Sequence, residues 1–359
     1  MRPVVSIGDC DMFTRECHSV RTHVAYPNLD FAKLVCSLLV VLIHTSPLEH
    51  ISELGHFYLD HVITRIAVPL FFAKSGFLFF GRLDYADGCI AKTRENFGRL
   101  IRTTRKNALL YVIWSAIYLS VTLPEWYAIG WWGLAAVKDW LTSFLFSGSY
   151  YHLWYLLALI LAIPVLYLLL TVIPVTRIGF VTSGLWVLEC LVYSYSWIGV
   201  DQIPLVAFIS SRMPILFDAL LRAVPLIAVG TILSQRQIKT VRASACIGAF
   251  LLCAAEASVL YFSTPNASNL SYLFSTPLMV WFVLSGLIAW KQLPLSSRQQ
   301  FCLRDMSLSI YCIHPMVCWL CEQLSVPSGI PFWMAVTAVS VAAAYLWTTR
   351  TRFHQKRRM

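Results

Sequence analysis

The chain has 359 residues, a formal net charge of +10 and a mean hydropathy of +0.66, with 58% hydrophobic and 13% charged residues. A soluble domain carries about 25% charged residues, so the composition excludes an ordinary soluble protein and indicates a multi-pass membrane protein. The basic residues lie between apolar runs, where they set topology, so we expect no nucleic-acid partner.

Apolar runs recur along the whole chain and predict ten membrane-spanning helices. Their predicted bounds are 30–47, 62–82, 106–123, 153–172, 178–197, 214–233, 244–263, 271–291, 305–323 and 331–349. Lys and Arg concentrate in alternate connections, which places both termini in the cytoplasm by the positive-inside rule. The predicted fold class is therefore all-α: a polytopic membrane helix bundle with about ten transmembrane helices.

The flanking segments differ from the apolar region. Residues 1–28 are polar and lack the pattern of a signal peptide, which predicts a cytoplasmic tail. A transmembrane domain at 29–349 and a basic cytoplasmic tail at 350–359 complete the predicted organisation. The Trp-rich segment 125–147 predicts an interfacial helix on the outer side.

Two ionisable residues stand out in the first predicted span. Lys33 and His44 are eleven residues apart, so they share one face of a helix and lie about 16 Å apart along its axis. The functional interpretation is that both side chains face one cavity that crosses the bilayer. Alternatively, Lys33 extends to the inner interface and His44 is a neutral histidine bonded to a backbone carbonyl.

Other ionisable groups also fall within predicted spans, where each is costly. Asp218 and Arg222 are four residues apart, which favours a structural ion pair. Glu189 has no obvious partner in the sequence. Lys74 lies in mid-span, and His314 precedes a proline, so it is either a packing histidine at a kink or a substrate contact.

The predicted inner loop 92–106 carries Arg99, Arg102 and Arg105 at i, i+3 spacing. Guanidinium groups suit phosphate oxygens, so these residues are candidates for a phosphate-binding surface. The alternative is a patch that sets topology or contacts lipid headgroups.

Four motifs occur in the order AKLVCSLLVVLIHTSP, RIAVPLFFAKSGFLF, HLWYLLALI and LSIYCIHP. Because these motifs occur in the same order there, the chain resembles the acyltransferase-3 family of integral-membrane acyltransferases over about residues 29–349. The resemblance includes a basic residue and a histidine with ten residues between them, here Lys33 and His44, and an arginine pair, here Arg99 and Arg102. The stretches IHTSP, SELG and RIAVPLFF also resemble the membrane domain of vancomycin-resistance serine racemases, in the same superfamily.

The resemblance implies O- or N-acyl transfer, usually of acetyl from cytoplasmic acetyl-CoA, to an extracytoplasmic or lipid-linked glycan or a small acceptor. It implies His44 as general base, with Lys33, Arg99, Arg102 and Arg105 handling acyl-CoA. The predicted substrate-channel residues are Arg65, Lys74, Ser75, His152, Tyr311 and His314, and Lys74 departs from the family pattern, which usually has an apolar or small residue there. We expect no permanently bound cofactor, no metal site, and a location in the bacterial plasma membrane. The alternative function is serine transport or a membrane partner role.

Overall fold

A computed structural model describes residues 25–238, 240–263, 270 and 272–356. Over these residues the chain is a helical bundle with one short β-hairpin, in which Tyr85–Ala86 (β1) pairs with Cys89–Ile90 (β2). The α-helices are α1 (Pro27–Thr45), α2 (Glu53–Tyr58), α3 (Ala67–Phe80), α4 (Arg94–Ala128), α5 (Leu134–Phe146), α6 (Trp154–Leu170), α7 (Val175–Val192), α8 (Pro204–Arg212), α9 (Pro214–Phe217), α10 (Val224–Ser234), α11 (Ala243–Ser263), α12 (Thr276–Ala289), α13 (Ser297–Gln323) and α14 (Ile330–Lys356).

Short non-α turns join some of these helices into longer rods. A π-helical turn and a 3₁₀ turn connect α2 to α3, and a π-helical turn at Asp218–Ala223 connects α9 to α10. Residues Glu53–Phe80 and Pro214–Ser234 therefore each form one continuous helical segment. Such π-turns often occur near functional sites.

Each of the ten predicted spans coincides with a helical segment of the structure. Within the described ranges, seven segments are long and apolar enough to cross a membrane, and α6 and α12 are shorter apolar helices. The all-α bundle is therefore confirmed, whereas ten spans and two cytoplasmic termini stay predictions. Of the two predicted tails, residues 1–24 and 357–359 lie outside the described residues.

Two helices begin well before the predicted spans. The α4 helix begins at Arg94, where the Thr93 hydroxyl accepts a hydrogen bond from the Asn96 amide at 3.1 Å. The α13 helix begins at Ser297, after a capping box between Ser296 and Gln299. Hydropathy detects only the apolar part of a helix, so it misses these polar first turns.

The predicted interfacial helix at 125–147 is wrong in its first part. The α4 helix continues through Pro124 to Ala128, and a separate helix, α5, covers only Leu134–Phe146. Gly130 and Gly133, both with positive φ, lie in the connection between the two helices. Glycine adopts this backbone conformation without the strain that a Cβ would cause.

The closest helix contact in the bundle joins α3 to α10. A Cβ built on Gly230 would lie 1.7 Å from the Ala73 carbonyl oxygen, and one on Gly76 would lie 2.1 Å from the Ile227 carbonyl oxygen. The two backbones therefore touch at both glycines, as small residues allow in membrane helix pairs.

We expect Gly230→Ala to destabilise the protein by at least the roughly 1–3 kcal/mol typical of overpacked cores, because the new methyl group meets a backbone carbonyl. The control is Gly248→Ala on α11, where no atom lies within 4 Å of the added Cβ. Thermal unfolding in detergent compares the two variants. Equal melting temperatures for both variants would contradict the α3–α10 contact.

Candidate functional site

A cavity of about 580 Å³ opens at the end of the bundle that carries the basic connections. We call it the basic cavity. It lies between α1, α3, α4, α6 and α13. Its basic lining residues are Lys33, Lys74, Arg82, Lys106 and Arg304. The volume is in the range of small-molecule and cofactor sites, about 300–1,000 Å³.

Lys74 is held in the wall of this cavity by an ion pair that the sequence analysis missed. Its Nζ lies 3.2 Å from Asp30 Oδ1 and donates to the Leu29 carbonyl at 2.9 Å. Both charged side chains are less than 10% exposed. Arg304 Nε lies 3.6 Å from the other carboxylate oxygen of Asp30. Asp30 therefore contacts two of the cavity's cations, and its single negative charge offsets one of their two positive charges.

We expect Asp30→Asn to destabilise the protein by about 3–5 kcal/mol, because it leaves the Lys74 ammonium buried without its carboxylate. The control is Glu95→Gln, which breaks the more exposed Glu95–Arg99 pair and is expected to change stability by at most about 1 kcal/mol. Unfolding in denaturant measures both. Adding Lys74→Met to Asp30→Asn is expected to recover stability, and no recovery would contradict the role of the pair.

Three histidines from different elements meet behind Tyr311, a residue of the basic cavity wall. We call His44, His152 and His314 the histidine cluster. The rings of His44 and His314 are stacked with centroids 5.3 Å apart, and the centroid of His152 is 5.6 Å from that of His314. His44 also contacts Tyr151, at 4.8 Å between ring centroids.

The cluster contains buried nitrogens without hydrogen-bond partners among the described residues. His314 Nδ1 lies 3.0 Å from the Ile310 carbonyl, which can only accept, so Nδ1 donates and Nε2 is left as an unpaired acceptor. Neither ring nitrogen of His152 has a partner, although the residue is only 2% exposed. Unpaired buried polar atoms are costly, and they mark places where a ligand or water completes a site.

Tyr311 connects the basic cavity to the histidine cluster. It lines the cavity, its hydroxyl donates to the His152 carbonyl at 2.5 Å, and its ring lies 5.4 Å from that of His152. Lys33 lines the same cavity, and its carbonyl accepts from Ser307 on α13 at 2.9 Å. The cavity and the cluster are therefore separated by one layer of side chains.

The expectation that Lys33 and His44 face one shared cavity is corrected by this arrangement. Lys33 lines the basic cavity, whereas His44 does not. A helix face is wide enough for two residues in line to meet different neighbours, here the cavity for Lys33 and the rings of Tyr151 and His314 for His44.

The three arginines assigned to the predicted inner loop lie on α4, outside the basic cavity. None of Arg99, Arg102 and Arg105 lines it. Arg99 pairs with Glu95 at 2.6 Å and donates to the Arg82 carbonyl, and the other two are exposed on α4. Their role in acyl-CoA binding stays a prediction. Ser75 lines the cavity, with its hydroxyl donating to the Phe71 carbonyl at 2.8 Å.

A second pocket, of about 70 Å³, lies near the opposite end of α1 and includes Ile43 in its wall. We call it the arginine pocket because Arg65 and Arg222 both line it, together with Trp154, Trp186 and Tyr272. It is therefore where the structure places Arg65, a predicted channel residue.

Arg222 is neutralised within the protein. It pairs with Asp218 at 2.8 Å, which confirms the predicted ion pair, and with Glu189 at 2.9 Å, the partner that the sequence did not reveal. Its guanidinium carbon also lies 4.1 Å from the ring centroid of Tyr272. Glu189 is 33 residues from Arg222, so no local spacing signals this contact.

Comparisons with known proteins give one family and several relatives. The family described as "Acyltransferase domain" (Acyl_transf_3) matches residues 26–349. An amino-acid racemase of Enterococcus faecalis is 28% identical over 172 residues, covering 48% of this chain and 22% of that protein. The serine/alanine racemase of Enterococcus gallinarum is 25% identical over 296 residues, covering 80% of this chain and 40% of that protein. Another Enterococcus faecalis amino-acid racemase is 25% identical over 314 residues, covering 83% of this chain and 42% of that protein.

The chain thus spans less than half the length of these relatives. No solved structure is significantly similar to it.

Proposed function

This chain belongs to the acyltransferase-3 family of membrane acyltransferases, and we propose that it transfers an acyl group, acetyl in the simplest case, from acyl-CoA to an acceptor across the membrane. The proposed acceptor is a small molecule or a lipid-linked glycan on the extracytoplasmic side. The observation that carries the proposal is the basic cavity, which ends one side-chain layer from the histidine cluster.

The basic cavity suits the proposed donor. CoA carries several phosphate groups, and Lys33, Arg82 and Lys106 offer cations along one cavity, beside Arg304, which contacts Asp30. Charge-assisted hydrogen bonds to phosphate are among the strongest polar contacts in proteins. In this proposal the phosphates bind near Arg82 and Lys106, and the thioester points toward Tyr311 and the cluster.

His44 is the proposed general base. The acceptor hydroxyl or amine gives its proton to the imidazole as its oxygen or nitrogen attacks the thioester carbonyl carbon. The new carbon–oxygen or carbon–nitrogen bond forms, the carbon–sulfur bond breaks, and the proton passes to the departing CoA thiolate. The stacked His314 ring holds His44 in place from one side.

His152 is the best-placed donor to the oxyanion that forms in this step. The protons of the Ser75 and Tyr311 hydroxyls are already donated to backbone carbonyls. A neutral imidazole has one N–H, and the N–H of His152 has no partner among the described residues. Preorganised donors of this kind are usually the largest electrostatic contribution to acyl transfer.

The direct test is acetyl-CoA binding to the purified protein in detergent, measured by calorimetry. We expect micromolar binding, with competition by CoA. Folded protein that binds no acetyl-CoA would contradict the proposal.

Serine transport is the second candidate function, and the similarity to a serine/alanine racemase is the observation that favours it. Uptake of labelled serine into proteoliposomes, with and without acetyl-CoA, separates the two. Uptake without acetyl-CoA binding would favour transport.

A further inference from the structure

The arginine pocket contains a half-buried cation, Arg65. No carboxylate of the described residues forms an ion pair with Arg65. Its Nη2 contacts His61 Nδ1 at 3.2 Å, and its Nε is buried without a partner among the same residues. Arg65 lines the pocket, and a planar guanidinium in a pocket wall is a binding group for an anion.

The charge around this pocket selects the kind of anion. Arg222 is already matched by Asp218 and Glu189, and neither of those acids lines the pocket. Among the described residues, Arg65 has no carboxylate in direct contact. The two arginines and the two acids sum to zero formal charge, so a singly charged carboxylate adds less uncompensated charge than a doubly charged phosphate.

The size and walls of the pocket narrow the ligand further. Its volume of about 70 Å³ is far below the roughly 300 Å³ at which drug-sized ligands begin to fit. The Trp186 indole N–H donates to the Leu273 carbonyl at 3.0 Å, so this wall presents an apolar ring to the pocket. A planar carboxylate with one or two attached carbons fits these limits, and a hexose ring does not.

The pocket borders the histidine cluster along the chain. Ile43 in its wall precedes His44, and Trp154 in its wall lies two residues after His152. Because the pocket and the cluster share these chain segments, we place the amine or hydroxyl on the adjoining carbon of a bound carboxylate on the side of His44.

We propose that the arginine pocket binds the carboxylate of a small 2-amino or 2-hydroxy acid, which serves as the acyl acceptor. This inference deepens the proposed function and rests on it for the transfer step alone. In that step the acceptor attacks the thioester carbonyl carbon with its hydroxyl, or with its neutral amine after the ammonium has released one proton to solvent. The new carbon–oxygen or carbon–nitrogen bond forms, the attacking group gives its proton to His44, the carbon–sulfur bond breaks, and the proton passes to the departing CoA thiolate.

The test measures binding of glycine, L- and D-serine and lactate to the full chain, each beside its amide, which lacks the carboxylate. We expect at least one acid to bind at least tenfold more tightly than its amide. Arg65→Gln is expected to remove this preference and Arg65→Lys to reduce it, because lysine retains the charge without the planar fork. Arg177→Gln, at an exposed arginine on α7, is the matched control and is expected to retain it.

Acetyl-CoA binding measured on the same preparations separates the two proposals. Wild-type protein that binds acetyl-CoA but prefers no acid over its amide would overturn the carboxylate site and leave the proposed function standing. Acid preference that depends on Arg65, in protein that binds no acetyl-CoA, would support the site and overturn the transferase. Preserved acid preference in folded Arg65→Gln would overturn the assignment to Arg65.

Discussion

Replacing His44 with alanine is expected to lower acyl transfer by a factor of about 10²–10⁴, the usual contribution of a general base. The affinity for acetyl-CoA is expected to stay within about twofold, because His44 does not line the basic cavity that would hold the donor. Transfer is measured as label from acetyl-CoA incorporated by membrane vesicles that contain the chain, and affinity by calorimetry on the same variant.

The matched control is His50→Ala. His50 is exposed beyond the end of α1 and is expected to be dispensable for both transfer and binding. Undiminished acyl transfer by the His44→Ala variant would contradict the assignment of His44 as general base. A joint loss of transfer and acetyl-CoA affinity would instead place His44 at the donor.

Removing cations from the basic cavity is expected to weaken acetyl-CoA binding much more than removing the exposed arginines of α4. The variant Lys33→Met with Lys106→Gln removes two cavity cations, and we expect at least a tenfold loss of affinity, since each hydrogen bond to a charged group contributes about 1.5–3 kcal/mol. Arg102→Gln with Arg105→Gln removes the same charge from the exposed face of α4, and we expect less than a threefold loss.

Calorimetry at two salt concentrations compares these double variants. The wild-type affinity is expected to fall with salt, and the cavity variant is expected to show a weaker fall because it has fewer cations to screen. A larger loss of affinity in the Arg102→Gln, Arg105→Gln variant would instead assign the CoA phosphates to these two arginines, as the family resemblance implied.

Hydropathy predicted the helices well and their polar ends poorly. The apolar parts of all ten segments coincide with helices, because twenty-residue apolar runs have few other solutions in lipid. The starts of α4 and α13 depend on side-chain caps at Thr93 and Ser296, which hydropathy does not measure. The close α3–α10 contact depends on two glycines that are 154 residues apart in the chain.

The sequence predicted which residues belong to the candidate site, but it did not predict which of them contact each other. The resemblance indicated His44, His152 and His314 separately, and only packing of α1, α13 and the turn before α6 shows that they form one cluster. The ion pair of Lys74 with Asp30 was missed because the residues are 44 positions apart. An acid in the first turn of an apolar helix was the available signal.

The glycine contact between α3 and α10 has a consequence for how substrates reach the site. Secondary transporters expose one site alternately to each side by rocking one group of helices against another. The α3 helix contributes walls to both cavities through Pro69 and Lys74, and α10 contributes Leu226 to the smaller one. Because the two backbones are already in contact at Gly76 and Gly230, an alternating motion of that kind would have to carry α3 and α10 together as one unit. Such a motion would reshape both cavities at once.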